Sequence, residues 1–472
     1  MAHTLVVDLD GTLLRSDMLF ETFWSALSKD ISSSLKAISA LNRGKADLKR
    51  YLAKAATIEV PTLPYDPEVI AYIKAWRETG GQTALVTASD QKLADDIADH
   101  LGIFDAVHGS DGRVNLKGAE KAAFLTSTFG DGKFTYMGDS SADLEVWKHA
   151  ARAITVNAPA ALQAKAAEIA PEVEHLETQS RAFKPYLKGL RPHQWMKNIL
   201  VFLPMLSAHQ FDAKTLALTL LAFLSFSLVA SSVYVLNDLL DLAADRAHPR
   251  KRNRPFAAGR IPIAHGIWMA AGTLMLGSLI ALNVGWGFFC VMVGYYFLTL
   301  GYSLSFKQKM VVDICVLAGL YTIRIGAGAA ATGIPLSVWL LAFSIFFFLS
   351  LAAVKRQAEL VDNMARGKLV PSGRGYTVDD LPVISMVTIS AGYVAVLVMV
   401  LYVNSPNVIE LYNHPETLWG VCAVLLYWIT RTVMLTHRGH MNDDPVIYAI
   451  KDRQSQICFL IILVLVLAGG LV

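Results

Sequence analysis

The sequence predicts two folds in one chain. An N-terminal α/β Rossmann-like domain with a small helical cap is followed by an all-α integral membrane bundle of about nine transmembrane helices. Three observations predict this. The 472 residues are 54% hydrophobic and only 17% charged, which suits many membrane spans better than a soluble enzyme. Charge is unevenly divided, with 18 Lys+Arg against 25 Asp+Glu in residues 1–180 and 24 against 14 in residues 181–472. The early apolar runs have strand length, whereas those after Asn198 are mostly long enough to cross a bilayer. An acidic module (1–178) therefore precedes a basic linker (179–197) and a membrane-embedded module (198–472).

In the first module, "TLVVDLD", "QTALVTAS" and "KFTYMGD" are short apolar runs ending in polar residues. That pattern fits buried parallel strands with a site at their carboxyl ends. The stretch from Phe20 to about Lys54 is rich in helix formers and reads as a helical insertion. "PEVEHLETQS" reads as a polar linker, and "RAFKPYLKGLRPHQWMKN" as a basic approach to the membrane. The opening "MAHTLVVDLDGT" lacks the basic start and apolar stretch of a signal peptide, so the first module is expected in the cytoplasm. Cys290, Cys315, Cys422 and Cys458 have no paired spacing, so neither disulfides nor a zinc site are expected.

Spans are expected near 198–210, 214–236, 263–284, 286–303, 312–332, 335–354, 382–403, 416–434 and 455–472. The first is short for a crossing. Loops after the second, fourth, sixth and eighth spans are rich in Lys and Arg, while the alternate loops carry only Lys214. The positive-inside rule makes the basic loops cytoplasmic, on the side expected for the first module. A bacterial inner membrane is the expected location.

"VVDLDGTLL" places Asp8 and Asp10 just after a strand. Two carboxylates so spaced divide the work of phosphoryl transfer, one attacking and one acting as acid/base, with Mg²⁺ offsetting the substrate's charge. Thr87 ends the strand "TALVT", where a hydroxyl can bind phosphate. Lys117 and Lys121 in "NLKGAEKAAFL" offer a cation, and "GDSSAD" adds Asp139 and Asp143 as metal carboxylates. This order resembles the haloacid dehalogenase (HAD) phosphatase superfamily over roughly residues 4–160. The resemblance implies Asp8 as nucleophile, Asp10 as acid/base, and Thr87 with one of the two lysines (Lys121 favoured) on the phosphoryl group. Mg²⁺ is expected among Asp8, Asp10 and Asp139.

In the membrane module, Asn237, Asp238, Asp241 and Asp245 form N-D-x-x-D-x-x-x-D. The three carboxylates sit at i, i+3 and i+7, one face of a helix, and repel one another unless a cation joins them. Mg²⁺ fits, because it bridges carboxylates to substrate phosphates. A cationic burst follows in Arg246, His248, Arg250, Lys251, Arg252 and Arg254, which suits a substrate with several phosphates. Lys251 and Arg254 are the strongest candidates. Arg324 lies eleven residues past Asp313, about 16 Å along a helix, where an Arg either lines a polar cavity or pairs within the bundle.

This stretch resembles the UbiA superfamily of intramembrane transferases, whose members hold a diphosphate through Mg²⁺ at Asp-rich motifs. Most carry a second D-x-x-x-D motif. Here only Asp313 stands at that place, with Leu317 in place of a second Asp. "LRPHQWMKNILVFLP", "NDLLDLAADRAHPRKRNRPFAAG", "GYSLSFKQKMVVD" and "VKRQAEL" together resemble the decaprenyl-phosphate phosphoribosyltransferases. That resemblance implies 5-phosphoribosyl 1-diphosphate as donor and a polyprenyl phosphate as acceptor. Asp238, Asp241 and Asp245 would hold Mg²⁺ on the leaving diphosphate, assisted by Asn237, Asp313, Tyr302 and Lys307. Lys197 beside Asn198, together with Lys355 and Arg356, would gather the acceptor phosphate. The first module would then remove the 5-phosphate of the product. The partners expected are these two substrates and the bilayer; no nucleic acid is expected, and a homo-oligomer is compatible with the reading. The alternative is a prenyltransferase moving a polyprenyl group from its diphosphate to an aromatic acceptor, beside a phosphatase of separate substrate.

Overall fold

The computed structural model describes residues 4–30, 32–111, 115–179, 182–367, 374–441 and 444–471. Ser180 and Arg181, in the expected linker, lie outside them. The chain forms two compact units, Met1–Arg191 with Tyr234–Gly272, and Pro192–Val233 with Thr273–Val472.

The first unit contains a six-stranded sheet in the order β3-β2-β1-β4-β5-β6. Its strands are β1 Thr4–Val7, β2 Thr83–Asp90, β3 Ala106–Ser110, β4 Phe134–Gly138, β5 Arg152–Val156 and β6 Val173–Leu176. All pairings are parallel. β1 and β4 are buried along their whole length, as strands covered by helices on both faces must be. Chain order reverses between β1 and β4, so loops at their carboxyl ends diverge and leave a crevice for a site. The expected cap is three helices, Met18–Lys29, Ser32–Arg43 and Lys45–Ala55. One expectation fails. "VEHL", taken as linker, is the edge strand β6, paired with β5 from Ala153↔Val173 to Val156↔Leu176. An edge strand that carries Glu174 and His175 between two apolar residues is only partly buried, so its composition reads as loop.

Among the described residues, eight helices are long and apolar enough to cross a membrane. They are Ala213–Leu240, Ile263–Val284, Trp286–Leu304, Val312–Thr332, Val338–Ala365, Val378–Val403, Pro415–His437 and Arg453–Gly470. Trp268, Met275, Phe297, Met386 and Leu460 on them are more than half exposed, as lipid-facing side chains are. The expected first span at 198–210 is not among them. It is a 3₁₀ segment, Pro192–Phe202, and a short helix, Leu203–Ser207. This segment lies tightly against the helix Val312–Thr332: a Cβ on Gly328 would stand 2.0 Å from the Val201 carbonyl oxygen. Val201 and Met205 are buried in this packing, while Met196, Ile199 and Leu206 stay exposed.

Candidate active sites

The end of β1 delivers Asp8 into the crevice, nine-tenths buried. Its Oδ1 accepts from the Leu9 amide at 2.8 Å and pairs with Lys121 Nζ at 2.9 Å. Lys121 also donates to the Tyr136 hydroxyl (2.9 Å), which donates to Asp143 Oδ1 (2.9 Å). Asp143 Oδ2 accepts from the Ser140 amide and hydroxyl, both at 2.9 Å. Asp8, Asp139 and Asp143 each offer an oxygen, and these lie within 4.8 Å of one another. The position facing Asp139 must be Gly11: at φ +76° it is left-handed, and a Cβ there would stand 2.2 Å from Asp139 Oδ2. Oxygen ligands held this closely, with backbone cleared away from them, fit a hard divalent cation.

Asp10 stands apart from that triplet, held by the Met18 amide and the Ser89 hydroxyl, both at 2.7 Å. Thr87 Oγ1 accepts from the Ser89 amide at 3.0 Å. Burial, with Asp8, Asp143 and Asp10 adding repulsion, pushes Asp139 up to about 8. Burial and then Asp17 push Asp10 up to about 7. Asp8 is also raised, burial outweighing the pull of Lys121. The structure therefore gathers Asp8, Asp139, Asp143 and Lys121, the lysine favoured over Lys117. Sequence reasoning missed Lys49, whose Nζ reaches from the cap to the Ala88 carbonyl (2.7 Å) and Asn115 Oδ1 (3.2 Å). Nothing in its helix separates it from neighbouring surface lysines.

The same unit holds the second carboxylate group. The helix Ala213–Leu240 stops before Asp241, and a new helix, Leu242–Ala247, begins after it. The carboxylates thus straddle a one-residue interruption, across which the ladder continues from the Asp241 amide to the Asn237 carbonyl (2.9 Å) and from the Asp245 amide to the Asp241 carbonyl (2.8 Å). Asn237 Nδ2 donates to Asp241 Oδ2 at 3.0 Å. Arg254 Nη1 bridges Asp238 (3.2 Å) and Asp245 (2.6 Å), and Asp238 also pairs with Arg191. Arg191 was not singled out in the sequence. It adopts φ +53° and lies 5.6 Å from the Tyr234 ring centre. Burial raises Asp245 despite the neighbouring Arg254 charge. Lys251 opens the 3₁₀ turn Lys251–Asn253, its amide donating to His248 Nδ1 at 3.3 Å. Among the described residues these carboxylates do not form a metal-spaced triplet as Asp8, Asp139 and Asp143 do. One oxygen of each is engaged by a guanidinium or amide group, an arrangement that suits a metal arriving with an anion toward which Arg254 and Arg191 can turn.

The second unit places three polar groups among its helices. Asp313 is fully buried, with Arg356 at 2.6 Å, Tyr302 donating to it at 2.8 Å and Arg374 at 3.6 Å. Arg356 also pairs with Glu359, and its guanidinium lies 5.5 Å from the Tyr376 ring. Just before Asp313, Val311 adopts φ +65°, a genuine outlier for a β-branched residue, and its amide donates to the Tyr376 hydroxyl at 2.9 Å. Lys307 lies on the 3₁₀ turn Phe306–Gln308.

Lys197 pairs with Asp444 at 2.6 Å, and Lys355 approaches it at 3.7 Å. Burial alone would raise Asp444, but the two lysines bring it down to about 2. Arg324 is buried beside Asn198 (2.9 Å), the Leu320 carbonyl and the rings of Phe226, Tyr295 and Tyr321. Those contacts occupy it within the bundle. Asn198 donates in turn to Ser227 at 3.0 Å. Arg374, Tyr376 and Asp444 were not found from sequence, because each is distant along the chain from most of its partners; Glu359, three residues from its partner Arg356, was passed over as one charge on a helix end.

A family model described as the UbiA prenyltransferase family matches residues 198–451, and one described as haloacid dehalogenase-like hydrolase matches residues 34–148. The protein y4nM of Sinorhizobium fredii is 38% identical over 96% of this chain and 88% of its own length. The nodulation protein NoeC of Azorhizobium caulinodans is 40% identical over 59% of this chain and 91% of its own. A decaprenyl-phosphate phosphoribosyltransferase of Mycolicibacterium smegmatis is 34% identical over 58% of this chain and 88% of its own.

Proposed function

The chain belongs to the UbiA prenyltransferase family, and from that premise we propose that it moves 5-phosphoribose from 5-phosphoribosyl 1-diphosphate to a polyprenyl phosphate. It is a multi-pass membrane protein with a HAD-like domain before the helical region. The reaction is placed at the cytoplasmic face of a bacterial inner membrane, where the HAD-like domain removes the product's 5-phosphate. The observation that carries this reading is the pairing of each buried carboxylate of the Asp-rich segment with arginine, Asp238 with Arg191 and Arg254, Asp245 with Arg254. A donor with phosphate at both ends of its ribose has enough charge to engage these cations as well as a carboxylate-bound metal.

When bound, Mg²⁺ supplies positive charge to phosphate oxygens at both sites. Arg191 and Arg254 orient the diphosphate and stabilise the charge that gathers on it as the anomeric bond breaks. The acceptor phosphate is already an anion and needs no base; Lys197 and Lys355, the two cations beside Asp444, are the groups proposed to bind it. In the HAD-like domain, Asp8 attacks the 5-phosphate while Lys121 holds its carboxylate in place. Asp10, protonated near neutral pH by its raised pKa, gives a proton to the departing ribose oxygen and later takes one from water.

The test is purified protein in detergent with Mg²⁺, 5-phosphoribosyl 1-diphosphate and a polyprenyl phosphate, with mass spectrometry of the lipid for wild type and Asp8→Asn. The 5-phosphorylated lipid is expected to accumulate only in Asp8→Asn. Its presence in both would leave the transfer and reject the phosphatase role. No ribosylated lipid of either form in either protein, both folded, would reject the donor and favour a prenyl diphosphate.

A further inference from the structure

We infer that the HAD-like domain positions the Asp-rich segment through a buried Glu21–Arg246 pair, a scaffolding role separate from its own phosphatase chemistry. The inference rests on the proposed reading only in taking the Asp-rich segment as the diphosphate site.

Glu21 lies in the first turn of the cap helix Met18–Lys29 and is 4% exposed; Arg246 is 9% exposed. Arg246 Nη1 and Nη2 donate to Glu21 Oε2 (2.9 Å) and Oε1 (2.6 Å), a bidentate fork. Nε donates to the Ala257 carbonyl at 3.0 Å. That last bond ties residue 246 to residue 257 and closes the loop from which Arg254 reaches Asp238 and Asp245. Arg246 therefore holds both ends of the loop, and Glu21 holds Arg246.

Two further contacts lead to the same place. Trp24, on the same cap helix, belongs to one apolar cluster with Val235, Leu239, Leu242, Phe256 and Ile261. At Gly259, φ +64°, a Cβ would lie 2.7 Å from Arg15 Cβ, so the loop backbone rests directly on the turn that follows Asp10. Without Glu21, Arg246 would be a buried cation with no counter-charge and would turn toward water. The Ala257 tie would go with it, and Arg254 would lose its fixed approach to the two carboxylates. Glu21 and Arg246 are thus positioning residues, acting through Arg254.

The experiment uses the full chain in detergent, with Glu21→Gln, Arg246→Gln and the double variant. Hydrogen–deuterium exchange of residues 241–259 reads the loop without assuming a substrate. Titration with Mg²⁺ and pyrophosphate, the leaving group under either transferase reading, reads the site. Each single variant is expected to speed exchange in 241–259 about tenfold, with β1 and β4 unchanged. Each should also weaken pyrophosphate about tenfold, as loss of a group supporting a binding residue does. In transfer assays the loss should fall on the donor KM more than on kcat. The double variant buries no lone charge, so its thermal stability should recover relative to the single variants, but without the Arg246–Ala257 tie the fast exchange in 241–259 and the weakened pyrophosphate binding should persist. If the Gln variants do not fold, Glu21→Asp makes the same comparison with the charge kept and its reach shortened. Unchanged exchange in 241–259, or equal loosening of loop and sheet, would overturn the inference. A loosened loop in a protein whose wild type does not bind pyrophosphate would uphold the positioning and reject the diphosphate reading.

Discussion

The two carboxylate groups of the first unit use the same residue in opposite ways. At the sheet, Asp8, Asp139 and Asp143 are brought together with Lys121 as the cation paired to Asp8. In the Asp-rich segment, Asp238 and Asp245 share Arg254, and Asp238 has Arg191 as well. The first group carries surplus negative charge, and repulsion from Asp8, Asp143 and Asp10 adds to burial in raising Asp139. The second is close to charge balance. A surplus of carboxylate favours a metal before substrate comes. A balanced set waits for an anion that brings its own metal.

The largest expected effect breaks the first group. Asp8→Asn should lower phosphate release on the order of 10⁴-fold, as loss of a nucleophile does, with protein of undiminished thermal stability because one repelling carboxylate is gone. Phosphate release near the wild-type rate would remove Asp8 from the chemistry. Next, Asp245→Asn should cost roughly 10²–10³-fold in transfer kcat/KM if the carboxylate supports charge at the leaving group, while leaving phosphate release from a small soluble ester intact. Gly11→Ala should weaken Mg²⁺ at the HAD-like site by about 10–100-fold, since Asp139 must shift to admit the Cβ; isothermal titration checks it. Arg254→Lys keeps the charge but not the guanidinium's reach to two carboxylates, and about a tenfold rise in donor KM is expected.

The smallest effect is a pH dependence. Asp10 and Asp139 have folded-state pKa values raised to about 7 and about 8. Metal-free protein is therefore stabilised by protons bound at pH 5, and loses that stability as pH rises through those values. Added Mg²⁺ should raise the melting temperature more at pH 8 than at pH 5. Equal shifts at both would mean that the metal sits elsewhere.

Much of the first group was legible because parallel strands fix where their carboxyl ends lie. Asp8 after β1, Thr87 in β2 and Asp139 after β4 follow from short apolar runs alone. The spans were legible from apolar length, except 198–210, where tight packing on Gly328 and a membrane crossing call for similar residues. The break after Leu240 was not legible, since neither Pro nor Gly marks it. Glu21, Arg191 and Asp444 were hidden for another reason. Each is one charge among many in its segment, and its partner is 225, 47 or 247 residues away. Only the folded chain says which charge is buried.

Val311 carries a consequence for anyone improving this protein. A valine held at positive φ in a tight turn, with the Val312 amide bonded to the Met310 carbonyl at 2.7 Å, costs about 1–3 kcal/mol, and glycine would adopt that shape more freely. A selection for heat resistance would therefore favour Val311→Gly early. The same change would loosen the first turn of the helix that presents Asp313. A more durable protein with a looser Asp313 would emerge from one codon, and a screen that scored only survival would not see the second change.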